Sequence, residues 1–267
     1  MRPLSPCLLA ALLIVTQPGP VAAVDLQAHR AIYRLVLSSA TRDSDIVSAD
    51  GVMVYRLARG CDGWTVENQT FLRLLYGNDT HTDTLWSFAS WESADGMRMR
   101  FHARYDQDGK NVERLEGQAD LQAVGGTGSA RFSQPPDKVI PLPRGTLFPT
   151  EHVRQVIAAA ESGKHLFNRT VFDGASLDNP YAVNAALGPL SEAMAEELAK
   201  RLGLPAQPAW WTRMAFFPIG AEAEVPEFEM SAQYRADGIA DKIVQYFETF
   251  ALDVQAKEIE LLPAPDC

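Results

Sequence analysis

Residues 64–105 read WTVENQTFLRLLYGNDTHTDTLWSFASWESADGMRMRFHARY. Three runs of aromatic and β-branched residues are separated by Gly77-Asn78-Asp79 and Asp95-Gly96. The last run, Met97 to Tyr105, alternates apolar with basic residues. Alternation of period two, cut by Asn/Asp/Gly turn signals, is the mark of strands half-buried on a sheet and joined by hairpins. In Thr84 to Glu92 the same period puts Trp86 and Phe88 on one face and Leu85 on the other.

The pattern continues outward in both directions. Upstream, AIYRLVL alternates at Ala31, Tyr33, Leu35 and Leu37, and Gly51 to Leu57 follows a turn at Ser48-Ala49-Asp50. Downstream, Asp108-Gly109 introduces Asn111 to Leu121, and Gly125-Gly126-Thr127-Gly128 reads as a flexible hairpin. Gln134 to Pro149 carries prolines at 135, 136, 141, 143 and 149 and reads as an extended connection. Thr150 is placed to cap a helix running to about Ser162 and ended by Gly163, with Val153, Val156 and Ile157 as its apolar stripe. Lys164 to Phe172 returns to strand. A second helix spans Ser191 to Leu202, with Met194, Leu198 and Leu202 on one face and Gly203 at its end. Strands then resume at Trp210 to Phe217, Glu227 to Arg235, Ile239 to Leu252 and Val254 to Leu262, with a hairpin turn at Asp237-Gly238. This is an antiparallel meander, sandwich or barrel, mainly β, with two short helices.

The chain has 267 residues, 46% hydrophobic and 22% charged, which is the composition of a globular protein. Lys+Arg is 24 against Asp+Glu 34, a net charge of −10. Such a balance gives no footprint for nucleic acid and opposes attraction to an anionic membrane surface. Arg2, the apolar run Cys7 to Val15, the Pro18-Gly19-Pro20 break and Val21-Ala22-Ala23 together have the anatomy of a secretory signal peptide. Cleavage is expected after Ala23, leaving Val24 to Cys267 as a soluble, exported chain, most simply in a bacterial periplasm. Losing Arg2 takes the net charge to −11.

Two cysteines then remain, Cys61 and Cys267. An even pair in an exported chain reads as one disulfide. Two free thiols or an intermolecular bridge are the alternatives, and no C-x-x-C pair suggests redox catalysis. The bridge would span the Pro-rich stretch, and neither half holds enough strands to close alone, so one domain over residues 24–267 is expected.

Residues for chemistry are few. His81-Thr82-Asp83 could place two metal ligands on one strand face, but a polar loop is the stronger reading, and no metal or cofactor is expected. A nucleophile elbow, a phosphate-binding loop and an H-E-x-x-H pattern are all missing. Trp64, Trp86, Trp91, Trp210, Trp211, Phe216 and Phe217 lie in strands. An ordinary β core is their leading reading. Trp64, Trp86, Phe88 and Trp210 are the candidates to line an apolar cavity for a lipid-like ligand.

Several stretches together resemble the EipB-type cell-envelope integrity proteins, exported proteins of α-proteobacteria. They are His29-Arg30-Ala31 with Tyr33 and Leu35, Gly51-x-Met53, Cys61-Asp62-Gly63-Trp64, Leu147-Phe148-Pro149-Thr150-x-His152, Val171-Phe172-Asp173-Gly174 and the final Cys267. The resemblance implies one periplasmic domain, a long sheet wound into an open β-barrel or β-spiral. It also implies a Cys61–Cys267 bridge and a role in envelope integrity without enzymatic activity. The expected partner is an envelope component or a periplasmic protein, repeat-containing envelope proteins among them, bound by a monomer. A carrier of lipid in the barrel interior is the first alternative. A hydrolase of envelope polymers, with acids brought together by folding, is the second.

Overall fold

The computed structural model describes residues 24–220 and 225–267, so the expected signal peptide lies outside the described residues. Among the described residues, fifteen strands form one sheet. In chain order they are β1 (His29–Ala40), β2 (Ile46–Arg59), β3 (Gly63–Tyr76), β4 (His81–Ser93), β5 (Arg98–Gln107), β6 (Lys110–Leu121), β7 (Gly128–Gln134), β8 (Val139–Leu142) and β9 (Thr146–Leu147). Helix α1 (Pro149–Glu161) follows, then β10 (Leu166–Val171) and β11 (Tyr181–Pro189). Helix α2 (Glu192–Leu202) precedes β12 (Ala209–Pro218), β13 (Phe228–Arg235), β14 (Ala240–Tyr246) and β15 (Phe250–Leu261).

The spatial order runs from β8 down to β1, then β15 down to β9. All neighbours are antiparallel except β9 and β10, which are parallel across α1. Strands β8 and β9 are thus opposite edges of the sheet, yet only residues 143–145 separate them. So short a link spans at most about 14 Å, so the sheet must curl until its edges nearly meet. The result is a nearly closed barrel, mainly β with two short helices.

Period two decides what faces inward. Along β5, Met99, Phe101 and Ala103 are buried, while Arg98, Arg100 and Arg104 are exposed. Helix α1 lies inside. Its Val156, Ile157, Ala159 and Ala160 pack in one cluster with Leu57 and Trp64 from one wall and Phe167, Val183 and Met214 from another. Helix α2 lies against β15, with Leu202 on the Tyr33–Leu35–Val254 cluster and Leu198 and Ala199 buried. Met194, expected on the buried face, is exposed.

The bridge joins Cys61, in the β2–β3 turn, to Cys267, with Cα atoms 5.7 Å apart. After β15 the chain runs past the start of β1, where the Leu262 N–H donates to the Ala28 carbonyl (2.8 Å). It thereby ties the end of β15 to the β2–β3 hairpin over a sequence separation of 206.

Several expectations need correction. Ser48-Ala49-Asp50 is no turn, because β2 continues through it in register with Leu75, Leu74 and Arg73 of β3. The Pro-rich connection contains β8 and β9. Pro141 is tolerated because β8 is an edge strand, with one side free of ladder bonds. The stretch from Ile239 breaks at residues 247–249, and β15 runs unbroken through Asp253. Strand β11 (YAVNAALGP) was unforeseen, since alanine, asparagine and glycine carry little strand propensity. Its neighbours β10 and β12 impose the conformation. Finally, Thr150 does not cap α1. The N-cap is Phe148, whose side chain makes no capping bond, and Pro149 takes the first helical position.

Candidate functional site: the barrel interior

A cavity of about 290 Å³ lies between α1 and the wall made by β1–β4, β13 and β14. Its apolar lining includes Met53, Trp86, Phe88, Met230 and Ile243. Trp86 and Phe88 are stacked, with ring centroids 5.6 Å apart and planes within 1°. They come from alternate positions of β4, which places both on its inner face.

The polar groups in this lining are few and mostly uncharged. The Tyr33 hydroxyl donates to the Ala240 carbonyl (2.9 Å). Burial raises the Tyr33 and Tyr55 phenols above their ordinary range, and that of Tyr234 to about 12. All three are neutral hydroxyls at physiological pH. His29 is held by Gln27, whose carbonyl lies 2.8 Å from Nδ1, and burial lowers its affinity for a proton. Asn68 reaches the Met53 sulfur (3.3 Å) and accepts from Thr70 (2.9 Å).

The single carboxylate on the wall is Asp173. It accepts from the Ala175 N–H (2.9 Å) and Asn179 Nδ2 (2.8 Å), while its own N–H donates to Asn179 Oδ1 (3.0 Å). This reciprocal pair fixes the loop after β10. The next residue, Gly174, sits at φ +71° with a Cβ position only 2.4 Å from the Phe101 ring. Both the backbone angle and the space require glycine.

Behind Thr150 lies Glu92 of β4, buried. Its two oxygens accept from the Thr150 N–H (3.1 and 3.0 Å), and Oε1 also accepts from the Thr150 hydroxyl (2.9 Å). A strand therefore supplies the helix with the cap that its own N-cap residue lacks. Burial dominates and raises the carboxyl to about 7, while the Thr150 bonds pull the other way.

Of the four aromatic candidates, the fold brings Trp86 and Phe88 together on the cavity wall. Trp64 and Trp210 belong instead to the cluster around α1. Trp64 there carries Arg59 and Arg154, whose guanidinium carbons lie 5.6 and 5.8 Å from its ring. Tyr33, Tyr55, Tyr234, Met53 and Met230 also line the cavity and were not among the ligand-site candidates read from sequence. Their inward register is visible in the alternation, but which inward positions surround empty space depends on the seating of α1. At His81-Thr82-Asp83, the Asp83 carboxylate is engaged by Arg73 at 2.6 Å through two bonds. Among the described residues no group of three or more His, Cys, Asp or Glu side chains gathers to hold a metal.

Fold and site together define a nearly closed, bridge-tied antiparallel barrel with a helix in its lumen and a neutral, aromatic-walled cavity. Residues 20–263 match the EipB-like family model, and the chain belongs to that family. It is 27% identical over 234 residues to the cell envelope integrity protein EipB of Brucella abortus (strain 2308), covering 86% of this chain and 82% of that protein. A crystal structure of a beta-barrel-like protein of domain of unknown function DUF1849, also from Brucella abortus, superposes with a TM-score of 0.82 at 26% identity. That match covers 90% of this chain and all of the other.

Proposed function

We propose that this protein maintains cell-envelope integrity from the periplasm, as a binding protein rather than an enzyme. The observation that carries the reading is membership of the EipB-like family over nearly the whole chain. The export signature and the bridge fit the same compartment. The lumen supports binding over catalysis. Among the described residues its wall holds no serine, cysteine or lysine, and its imidazole and carboxylate are each committed to structural bonds. The partner is an envelope component or another periplasmic protein. Deleting the gene should sensitise cells to detergent and to antibiotics that act on the cell wall, with rescue by the intact gene. Unchanged sensitivity would overturn the role.

A second reading is carriage of an apolar molecule in the lumen, favoured by the stacked Trp86–Phe88 pair and the two methionines beside it. The cavity is at the small end of ligand pockets. It suits an uncharged molecule or one chain of a larger lipid. Native mass spectrometry of protein purified gently from the periplasm should show an added lipid mass. A bare chain mass would count against carriage.

A further inference from the structure

A second, larger concavity of about 600 Å³ lies on the opposite face of the sheet, outside the barrel, across β3–β7. Strand register builds it. Thr65, Trp91, Arg100, Gln118 and Arg131 occupy directly paired positions on five successive strands. All point outward, because their chain neighbours Glu92, Met99, Ala119 and Ala130 are buried. Small Ala89, two residues along β4 from Trp91 and paired with His102, keeps the adjoining floor low. From Trp91 to Arg131 the row crosses three interstrand steps of about 4.8 Å, about 14 Å in all.

The row gathers arginine charge that no carboxylate among the described residues neutralises within 4 Å. Most arginines of the outer surface have a carboxylate partner: Arg34 with Asp50, Arg56 with Glu67, Arg73 with Asp83, Arg104 with Asp106, Arg213 with Glu229. Arg98, Arg100 and Arg131 have none within 4 Å among the described residues. Arg100 and Arg98 instead lie over the Trp91 ring, 5.2 and 5.9 Å from its centroid. A guanidinium stacked on an aromatic ring uses its flat face and leaves its in-plane donors free. Trp91 thus holds these cations ready for an anion. Glu116 lines the same concavity two residues along β6 from Gln118, and its carboxylate is engaged by Arg114 (3.4 Å) and faces His102 (3.9 Å).

We propose that this outer row is a binding site for an anionic oligosaccharide, with Arg100 and Arg131 engaging its acidic groups. Thr65, Gln118 and Ser133 supply hydroxyl and amide partners for the sugar hydroxyls between those groups. The groove is open and extended along one line, and its Trp91 ring is flanked by amide and hydroxyl side chains that suit sugar rings. This deepens the envelope-binding reading and rests on it for the source of the ligand. The binding itself is measured on pure protein and stands or falls separately.

The test is titration of the mature protein with a hexamer of galacturonic acid, followed by Trp fluorescence and by calorimetry. Maltohexaose and hexaglutamate are run as controls. The acidic sugar should bind and the neutral sugar should not, with affinity falling as salt rises. Arg100→Gln with Arg131→Gln should weaken binding about tenfold or more at an unchanged melting temperature, since both side chains are exposed. Trp91→Phe should remove the fluorescence signal and weaken binding less. Equal affinity in the double variant, or no binding to the acidic sugar, would overturn the site. Hexaglutamate binding as well as the sugar would overturn the carbohydrate assignment in favour of an acidic peptide. If the site holds, cosedimentation with purified peptidoglycan or with lipopolysaccharide identifies which acidic glycan supplies the ligand. A normal detergent response in the deletion strain alongside clear binding would remove the envelope role and leave the site.

Discussion

The first turn of α1 rests on a residue 58 positions away in sequence, Glu92. Because burial raises its folded value to about 7 from 4.5, the native state holds this proton more tightly than the unfolded chain. Its contribution to stability is therefore fully present below pH 4.5 and is lost as pH rises through 7. His152, in the same helix, has the opposite sign. Burial, with the Arg169 charge, lowers it to about 4 from 6.5, so it costs stability as pH falls from 6.5 toward 4. Between these limits the two slopes oppose each other. Glu92→Gln removes one of them. Urea unfolding should show this variant gaining on the parent as pH rises from 4.5 to 7.5, by up to about 3 kcal/mol. A constant difference would show that Glu92 ionises normally. His152→Leu removes the other slope, along with a buried Nε2 that has no partner. It should lose less stability than the parent between pH 6.5 and 4.5, measured the same way.

At the scale of elements, the sequence is most informative where local chemistry and tertiary demand agree. Gly203 closes α2 at φ +68° as expected, and Ser191, read from sequence as the first helical residue, instead caps it by accepting the Met194 N–H (3.3 Å). The Asp95-Gly96, Asp108-Gly109 and Asp237-Gly238 hairpins fall where expected for the same reason. Legibility fails where the neighbour decides. Nothing in YAVNAALGP marks β11, which takes its shape from two flanking strands. Thr150 looks like a cap because its partner Glu92 is invisible at that range. The candidate site was half legible for the same reason: period two gave the inward face of Trp86 and Phe88, but not where α1 would leave a void. Helix α2 also offers a test. Asp241 is fully buried, accepts the Ala256 N–H (2.9 Å) and is neutralised by Arg201 at the end of α2. Arg201→Ala leaves that carboxylate uncompensated and should cost about 3 kcal/mol in chemical unfolding. A loss below 0.5 kcal/mol would mean that the pair acts as a surface ion pair.

For the whole molecule, the bridge and the sheet order carry the argument. Cross-linking residues 206 apart in sequence restricts the unfolded chain strongly. Cys61→Ser or Cys267→Ser should each lower stability by about 2–5 kcal/mol, and the double variant should be no worse than either. Equal melting temperatures with and without reductant would refute this. The strand order is itself a rotation of the sequence: read from β9 through β15 to β1 and on to β8, every neighbour in space is a neighbour in sequence. The one exception in the natural chain is β1 with β15, where His29 faces Leu261. A circular permutant opened within residues 143–145, with its old ends linked, has no such distant pairing. It should refold faster than the parent under reducing conditions.

That rotation also fixes an order of events in time. Synthesis delivers β1 first and its partner β15 last. The free edge of β1 therefore waits, through almost the whole production of the chain, for a strand that does not yet exist. An unpaired strand edge is a template for wrong pairing. The newborn molecule is most vulnerable along the very line that joins the two runs of the finished sheet. A helper that shields that edge would be needed only until β15 arrives.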